Sequence, residues 1–453
     1  MTTTRREFLK ASAMAAGAGA AAGCVPGPRP YWWEKPQRDP ASGAVDRPDR
    51  LPVEWYRRTV GRIQLKLHEH GLEGILLRDR WNIIYASGYF HTTTERPESL
   101  WIPATGEPTL FVPGLDRDLV DTWWIEDVKT YFDFPHAETD WWAPPSGTVD
   151  LLQWMARGIR ERGTTRGRIG LDGEPTPSEA RRLRAVLPAA SFVDAGDILS
   201  GMRVIKTPEE VALLERAIAY HDRMLEFCRE YVLEHGTSLY DWDVQHAAEA
   251  YGTDLVCRDL ALTGREHSGL GVQISCGCRA GPATAYPHPN QMMYAPVERG
   301  RAIQFSGIMV RIGGYGGEGY RACHIEPMTD EQRRVWEVHT EMTHAQREHS
   351  KPGVECREVA YRVLKIAKNA GLERLVYHRP AHGQGMEGHQ RPYIAPGDDT
   401  VLEEGMTFSN EPGLYDREGG FGYNHSNCLL IESAGARQLN GTPMTKEWCW
   451  LEI

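Results

Sequence analysis

Glu411 stands at the end of the apolar stretch GMTFSNEPGLY and is followed at once by Pro412 and Gly413. A carboxylate at the end of a strand-like run, just before a sharp turn, is expected to be buried. A buried carboxylate needs a cation, a metal ion or several hydrogen-bond donors to offset the loss of water. Glu411 therefore predicts a site in which one of these partners lies beside it.

Three histidines in the same half of the chain are candidate partners or proton carriers. His288 lies between two prolines in YPHPN. Because imidazole titrates near neutral pH, His288 is a candidate general acid or base, and a packing histidine is the alternative. His382 is flanked by Ala381 and Gly383, which allow close backbone approach. Its role stays open among metal ligand, hydrogen-bond donor to the substrate and second base. His389 follows seven residues later.

A glycine-rich stretch, GGYGGEGYRACH, carries a further acid, Glu318, followed by Tyr320 and His324. Its glycines let the backbone approach a ligand closely or form an unusual hairpin. Glu318 is then either an acidic group of the site that contacts substrate or an exposed charge at a hairpin tip. Tyr320 and His324 are weaker candidates for substrate binding.

The elements that must position these residues fall into two predicted domains. Residues 51–200 alternate helix and strand patterns, which indicates an α/β domain with a mixed sheet. Pro208, followed by Glu209 and Glu210, begins a long helix that is predicted to end at about residue 234, and a second helix is predicted over 241–251. Strands, glycine-rich turns and helices over 329–350 and 356–370 indicate an α+β domain over 201–453.

The N-terminus predicts export. The stretch RREFLK, followed by a small apolar run, is typical of a twin-arginine signal over residues 1–24. The run AAGC ends at Cys24 and is similar to a lipoprotein cleavage box, although Ala21 stands where such a box usually has leucine. Whether Cys24 carries a lipid anchor therefore stays open. Residues 25–50 are proline-rich and polar and predict an extended arm. We expect the protein in the periplasm or on the outer face of the cell membrane.

Composition narrows the class of partner. The net charge is −11 and no long basic run is present, which argues against a nucleic-acid partner. Apart from Cys24 the chain has eight cysteines, none of them in a CxxC pair, so we expect plain burial and no zinc knuckle.

Four segments resemble motifs of the pita-bread superfamily, which contains Xaa-Pro aminopeptidases, prolidases and creatinases. RVIKTPEEVALLERA resembles the domain joint and TAYPHPN the first active-site histidine segment. AHGQGMEGHQRP resembles the HGxG…H segment and VLEEGMTFSNEPGLY the EPGxY segment, and the four occur in the family's order. The resemblance implies a creatinase-like α/β N-terminal domain followed by an α+β pita-bread catalytic domain.

The resemblance also implies where metal ions would be held, and there the sequence departs from the family. The family's metalloenzymes hold two ions with two Asp, one His and two Glu, of which His382 and Glu411 match. The other ligand positions fall at Ser306 or Gln304, at Cys323 and at Ser426. Bridging carboxylates offset the repulsion between two cations, so we expect no dinuclear site.

A single divalent metal ion is the alternative. It would be Zn, Mn or Fe, held by His382 and Glu411 with a third ligand from His288, His324 or Glu318. The main expectation is that no metal is needed, because the pattern is similar to creatinase, which has the fold and the EPGxY glutamate without a metal.

That similarity implies a metal-independent hydrolase or lyase acting at a C–N bond of a small molecule. His288 takes the proton-transferring place, His389 matches the family's outer, proton-donating histidine, and His425 stands where creatinase has a substrate-binding side chain. In creatinase-like dimers the N-terminal domain reaches the partner's active site, so we expect a homodimer. The candidates for that reaching role are His91, Arg96 and Trp101.

Two other classes stay open. One is a metal-dependent Xaa-Pro aminopeptidase or dipeptidase acting on short peptides, and the other is a non-catalytic binding protein on the same fold. The retained histidines and Glu411 argue against the binding protein, since a scaffold does not need them. Metal content separates the two enzyme classes, and activity separates both from the binding protein.

Overall fold

The computed structural model describes residues 50–91, 94–121, 123–132, 150–260, 271–288 and 294–453. The predicted signal over residues 1–24 and nearly all of the predicted arm over 25–50 lie outside these ranges. Among the described residues, no helix is both long and apolar enough to cross a membrane.

A six-stranded mixed sheet forms the centre of the N-terminal part, in the order β4-β3-β2-β1-β5-β6. Strand β1 is antiparallel to β2 and parallel to β5, as in an α/β domain. The strands are β1 Gly74–Leu77, β2 Ser99–Pro103, β3 Thr109–Pro113, β4 Val128–Tyr131, β5 Arg166–Leu171 and β6 Ala189–Asp194. The helices are α1 Val53–Glu69, α2 Arg80–Ser87, α3 Arg117–Val120, α4 Leu151–Glu161, α5 Pro177–Val186 and α6 Gly196–Val204.

Local sequence explains where these helices begin and end. In α1 the buried residues Trp55, Val60, Ile63 and Leu67 recur at three- to five-residue spacing and cover one face. Helix α2 begins after Asp79, whose carboxylate accepts hydrogen bonds from the first free backbone N–H groups. Helix α6 contains the predicted domain boundary between residues 200 and 201.

A long helix, α7 Pro208–His235, opens the C-terminal part and was predicted almost to its last residue. Thr207 and Glu210 form a capping box at its start, and proline occupies the first turn. The next helix, α8 Asp241–Asp259, runs eight residues beyond its predicted end. Leu255 and Val256 are buried there, so packing extends the helix.

Three sheets follow. One has the order β17-β9-β8-β7, one the order β11-β10-β12-β15-β16, and β13 pairs with β14 alone. The strands are β7 Gln273–Ala280, β8 Ala302–Arg311, β9 Gly319–Ile325, β10 Ala381–Gly383, β11 Gln390–Ile394, β12 Thr407–Ser409, β13 Leu414–Asp416, β14 Phe421–Tyr423, β15 Cys428–Glu432, β16 Gly435–Gln438 and β17 Trp450–Leu451. The helices are α9 Asp330–His349, α10 Cys356–Asn369 and α11 Lys446–Cys449.

Two isolated bridges join the larger sheets, Tyr320 with Ser426 and Gly316 with Gly385. They bring the start of β9 against the segments that follow β10 and precede β15. The predicted combination of an α/β domain and an α+β domain is confirmed. The eight cysteines of the described residues are all free, and all except Cys257 are buried.

Candidate active site

Four of the predicted residues meet where the two larger C-terminal sheets join. The Nε2 atom of His382 lies 2.8 Å from Glu411 Oε1 and 3.6 Å from Glu318 Oε1. The Nε2 atom of His389 lies 4.0 Å from the same Glu318 oxygen, and the two imidazole rings are 4.0 Å apart. We call Glu318, His382, His389 and Glu411 the acid–histidine cluster.

Backbone pairing fixes the position of His382. It lies on the short strand β10 between β11 and β12, and its backbone N–H donates a hydrogen bond to Ser409 Oγ at 3.0 Å. Ser409 Oγ in turn donates to Glu411 Oε1 at 3.2 Å. The hydroxyl of Ser409 thus links the histidine and the glutamate that follows β12.

The His382–Glu411 pair favours its charged form. Nδ1 of His382 lies 3.0 Å from Gly383 O and, as a donor there, leaves Nε2 facing Glu411. Burial lowers the pKa of His382, but the close contact with Glu411 and its charge outweigh burial and raise that pKa above its ordinary value. Burial raises the pKa of Glu411, and the same contact brings that pKa below its ordinary value. Of the partners expected for Glu411, the structure provides His382.

Glu318 is buried, so it is not an exposed charge at a hairpin tip. Its backbone N–H donates to Gln384 Oε1 at 3.0 Å, and Ser426 Oγ donates to its Oε2 at 3.3 Å. Burial, then the charge of Glu411, raise the pKa of Glu318 to about 8. Tyr320 lies two residues further along the chain. Burial, and then the charge of Glu318, raise the pKa of its phenol.

His389 and His288 lie on the solvent side of the cluster. The side chain of His389 is 56% exposed, and burial and the charge of His382 lower its pKa. His389 was expected in an outer position, but its ring contacts His382 directly. His288 is exposed and lies near enough to His389 to contribute to the lowering of the pKa of His389.

His324 and His425 are not brought to the cluster. His324 is fully buried, and its Nδ1 lies 2.9 Å from the hydroxyl of Tyr423. His425 is fully buried, and its ring lies against Trp336 and His339. The expectation that these two side chains bind substrate is therefore wrong, because other side chains of the protein pack against both imidazole rings.

The N-terminal candidates do not reach the cluster of their own chain either. His91 is buried and stacks on Tyr89 with ring centroids 5.0 Å apart, and Trp101 is buried on β2. Arg96 lies 2.6 Å from Glu95. The burial of His91 and Trp101 contradicts the idea that they extend to a partner subunit.

Sequence reasoning missed Arg279, a buried cation on β7. Its guanidinium donates to the carbonyl oxygens of Tyr286 at 2.6 Å and Pro287 at 2.9 Å, the two residues before His288. Its Nε donates to Ser306 Oγ at 3.3 Å. A charged residue within the small-residue strand QISCGCRA was the signal that could have revealed it.

The cluster fits one divalent cation. Ligand atoms of Glu318, His382 and His389 all lie within 4.8 Å of one another. His382 Nε2 is buried and has no well-aligned hydrogen-bond partner among the described residues. The charges of the carboxylates of Glu318 and Glu411 would balance one divalent ion.

The residues do not fit a pair of ions. At the positions where the resemblance implied further ligands, Ser306 accepts a hydrogen bond from Arg279 and Ser426 donates one to Glu318. Cys323 is fully buried. A guanidinium beside Ser306 repels a second cation at that place.

Comparison with known proteins covers both domains. Residues 60–205 match the creatinase/prolidase N-terminal domain, and residues 212–433 match metallopeptidase family M24. An Xaa-Pro dipeptidase of Lactobacillus delbrueckii subsp. lactis is 27% identical over 389 residues, which are 84% of this chain and 96% of that protein. Creatinase of a Bacillus species is 23% identical over 418 residues, 89% of this chain and 95% of that protein.

Solved structures agree on the fold. A prolidase from Thermococcus sibiricus superposes with a TM-score of 0.72 at 20% identity, covering 88% of this chain and 99% of its own. Dipeptidase PepE from Mycobacterium ulcerans gives a TM-score of 0.70 at 21% identity, covering 89% and 99%. The two domain matches follow one another along the chain. The protein therefore belongs to the M24 peptidase and creatinase family of hydrolases.

Proposed function

We propose that this protein is a hydrolase that cleaves the amide bond before proline in short peptides, with one divalent cation held by the acid–histidine cluster. Relatives named Xaa-Pro dipeptidase support this alternative better than the metal-independent, creatinase-like function that the sequence pattern favoured. The observation that carries the proposal is the convergence of Glu318, His382 and His389, with Glu411 Oε1 2.8 Å from His382 Nε2.

Glu318, His382, His389 and Glu411 would hold the ion, with His382 Nε2 and the carboxyl group of Glu318 deprotonated when the ion is bound. When bound, such an ion polarises the scissile carbonyl and makes water a better nucleophile. The chain's own groups prepare the site for it. The hydrogen bond from His382 Nδ1–H to Gly383 O keeps Nε2 directed into the cluster, and the hydroxyls of Ser409 and Ser426 orient the two carboxylates.

His288 supplies the proton transfer to the leaving group. Cleavage before proline releases a secondary amine, whose nitrogen must gain a proton as the C–N bond breaks. His288 is exposed and near enough to His389 to act on its pKa, so solvent and a substrate can reach both side chains. Arg279 holds the backbone just before His288 through the carbonyls of Tyr286 and Pro287.

A second candidate, metal-independent cleavage of a C–N bond, is favoured by one observation. The 2.8 Å contact between His382 and Glu411 is short enough for the two groups to share a proton without a metal ion. In that case His382 acts as a cation that polarises the substrate, and its loss rather than metal removal abolishes activity.

The proposed cellular setting rests on the sequence alone. Export by the twin-arginine route, a lipid anchor at Cys24 and assembly as a homodimer are part of the proposal. Accumulation of a precursor when Arg5 and Arg6 are both replaced by lysine would support the export route.

The test compares alanyl-proline with alanyl-alanine as substrates of protein purified without chelator. We expect cleavage of alanyl-proline, loss of activity after a strong chelator, and recovery on adding one equivalent of Mn²⁺, Zn²⁺ or Fe²⁺. Full activity after chelation would favour the second candidate. Cleavage of neither peptide under any metal condition would refute the proposed peptidase.

A further inference from the structure

A cleft with a volume of about 900 Å³ lies beside the joint between the two domains, and we call it the joint cleft. It is lined by the C-terminal half of α1, the end of β6, α6 and the joint itself over residues 205–207. The four residues of the acid–histidine cluster are not among those that line it. Its volume falls within the range of small-ligand sites, which is roughly 300–1,000 Å³.

Large apolar side chains are left open to solvent in this cleft. Leu65 on α1 is 63% exposed and Ile205 in the joint is 38% exposed, and both line it. Leu72, Ile198 and Met202 line the same concave surface. Exposed large apolar side chains that share one concave surface are typical of a binding site. The cleft therefore favours an occupant with an apolar body.

The charges that line the cleft leave cations without acid partners. The charged residues are the cations Arg62, Lys66, Arg168 and Lys206 and the acids Glu69, Asp194 and Asp197. Lys66 pairs with Glu69 at 2.8 Å. Arg62 donates to the hydroxyl of Thr59, and Arg168 donates to the carbonyl oxygen of His70. Among the described residues, Arg62, Arg168 and Lys206 form no ion pair, so the cleft can accept one further negative charge.

Lys206 is the most buried of these charged residues. It is 7% exposed, and its Nζ donates to Val204 O at 3.1 Å. Burial lowers the pKa of Lys206 to about 8, and the charge of Glu210 opposes that effect. Glu210 is itself engaged by Thr207 N–H and by the hydroxyl of Tyr315, each at 2.7 Å, and burial raises its pKa. It therefore compensates the ammonium group only in part.

The wall formed by Ile205 and Lys206 lies behind two strands of the catalytic domain. Ile205 forms an antiparallel bridge with Met406, the residue just before β12. A Cβ atom at Gly385 would lie 2.9 Å from Lys206 Cε, so Lys206 packs against the residue three positions beyond His382. A ligand that contacts this wall reaches β10 and β12 from behind and does not compete with a substrate at the cluster.

We propose that the joint cleft binds a small amphipathic monoanion, a carboxylate on an apolar chain or ring, as a second ligand of the protein. The carboxylate pairs with Lys206, and the apolar body lies against Leu65, Ile198 and Ile205. A charge-assisted hydrogen bond to a buried ammonium group favours an anion over a neutral ligand of the same shape. The site is separate from the acid–histidine cluster, so the inference does not depend on the proposed peptidase function.

The test is calorimetric titration of the full-length protein with octanoate and with octanamide, which have the same chain and differ in charge. We expect one octanoate per chain, with a Kd about 10-fold or more below that of octanamide, as for a charge-assisted contact. Absence of saturable octanoate binding by the wild-type protein, or equal binding of the acid and the amide, would overturn the site.

Three variants locate the bound octanoate. Lys206→Met removes the charge and keeps the length of the side chain, so octanoate should bind no more tightly than octanamide. Leu65→Glu places a like charge on the wall and should weaken octanoate binding by about 10-fold or more. Leu115→Glu, at a leucine outside the cleft that is 71% exposed, is the matched control and should keep the wild-type Kd. Melting curves by circular dichroism accompany each variant, and if Lys206→Met does not fold, the exposed Leu65 decides the outcome.

His382→Ala separates the joint cleft from the acid–histidine cluster. This variant should bind octanoate with the wild-type Kd, because His382 does not line the cleft. Loss of octanoate binding in His382→Ala, or an undiminished affinity in Leu65→Glu, would place the ligand elsewhere and overturn the proposal. The titrations need no turnover, so failure of the proposed peptidase function would leave their result unaffected.

Discussion

Two largely buried histidine–glutamate pairs, one in each domain, differ in charge state: His91 with Glu98 and His382 with Glu411. In the N-terminal pair, His91 Nδ1 and Glu98 Oε2 are 3.6 Å apart, and in the C-terminal pair, His382 Nε2 and Glu411 Oε1 are 2.8 Å apart. The side chains of all four are at most 14% exposed, so burial alone does not separate the pairs.

The two pairs differ in the direction in which their surroundings shift the pKa values. Burial lowers the pKa of His91 to about 4, and burial and Asp116 raise that of Glu98 to about 8, so both groups are neutral near pH 7. His382 and Glu411 are shifted in the opposite, charged directions. The shorter contact between His382 and Glu411, and the charge of Asp116 on Glu98, account for the reversal. A buried histidine beside a glutamate is thus a packing pair or an ionic pair according to how closely the two groups approach and which charges surround them.

Removal of each histidine in turn should give the largest difference between the two pairs. His382→Ala should lower kcat/KM by about 10³-fold, because a cluster ligand and proton partner is lost. His91→Ala should leave the kcat of the folded protein within about threefold of wild type and lower its melting temperature, as removal of a packing side chain does. Kinetics and thermal melting on the same preparations check both. Equal activity losses in the two variants would mean that the pairs do not differ in role.

His288 tests whether the exposed side of the cluster takes part. His288→Ala should lower kcat by about 10²-fold through loss of proton transfer to the leaving nitrogen, with little change in melting temperature since the side chain is exposed. Exposed His246 on α8 serves as the matched control, and His246→Ala should behave as wild type. Full turnover of His288→Ala would remove this residue from the mechanism.

The N-terminal pair predicts a small pH effect on stability. Glu98 has its pKa raised from 4.5 to about 8, so between these values the folded state keeps a proton that the unfolded state loses. The free energy of unfolding from this group therefore falls as pH rises through that window. Glu98→Gln should show a smaller drop in melting temperature between pH 5 and pH 8 than wild type. An identical drop in both proteins would show that Glu98 ionises normally in the fold.

Much of the fold followed from sequence because its signals are local. Thr207, Pro208 and Glu210 mark the start of α7 by capping chemistry, which needs no tertiary information. The end of α8 was missed because Leu255 and Val256 extend it by packing against distant residues.

The site was predictable only in part, for a related reason. Motif spacing identified His382, His389 and Glu411 as candidate site residues. The burial of Glu318 was not predictable in this way, because it depends on how the two sheets join at Ser426. Strand alternation predicted which face of the strand His324 occupies, but it could not show that Tyr423 contacts the imidazole there. Arg279 lay outside every motif, and only the fold brings it to Ser306.

Metal content separates a site for one ion from a site for two ions and from a metal-free site. Elemental analysis of wild type, His382→Ala and His91→Ala, all prepared without chelator, separates the ionic pair from the packing pair. We expect one divalent ion per chain in wild type and in His91→Ala, and none in His382→Ala. Two ions per wild-type chain, or one ion retained by His382→Ala, would contradict it.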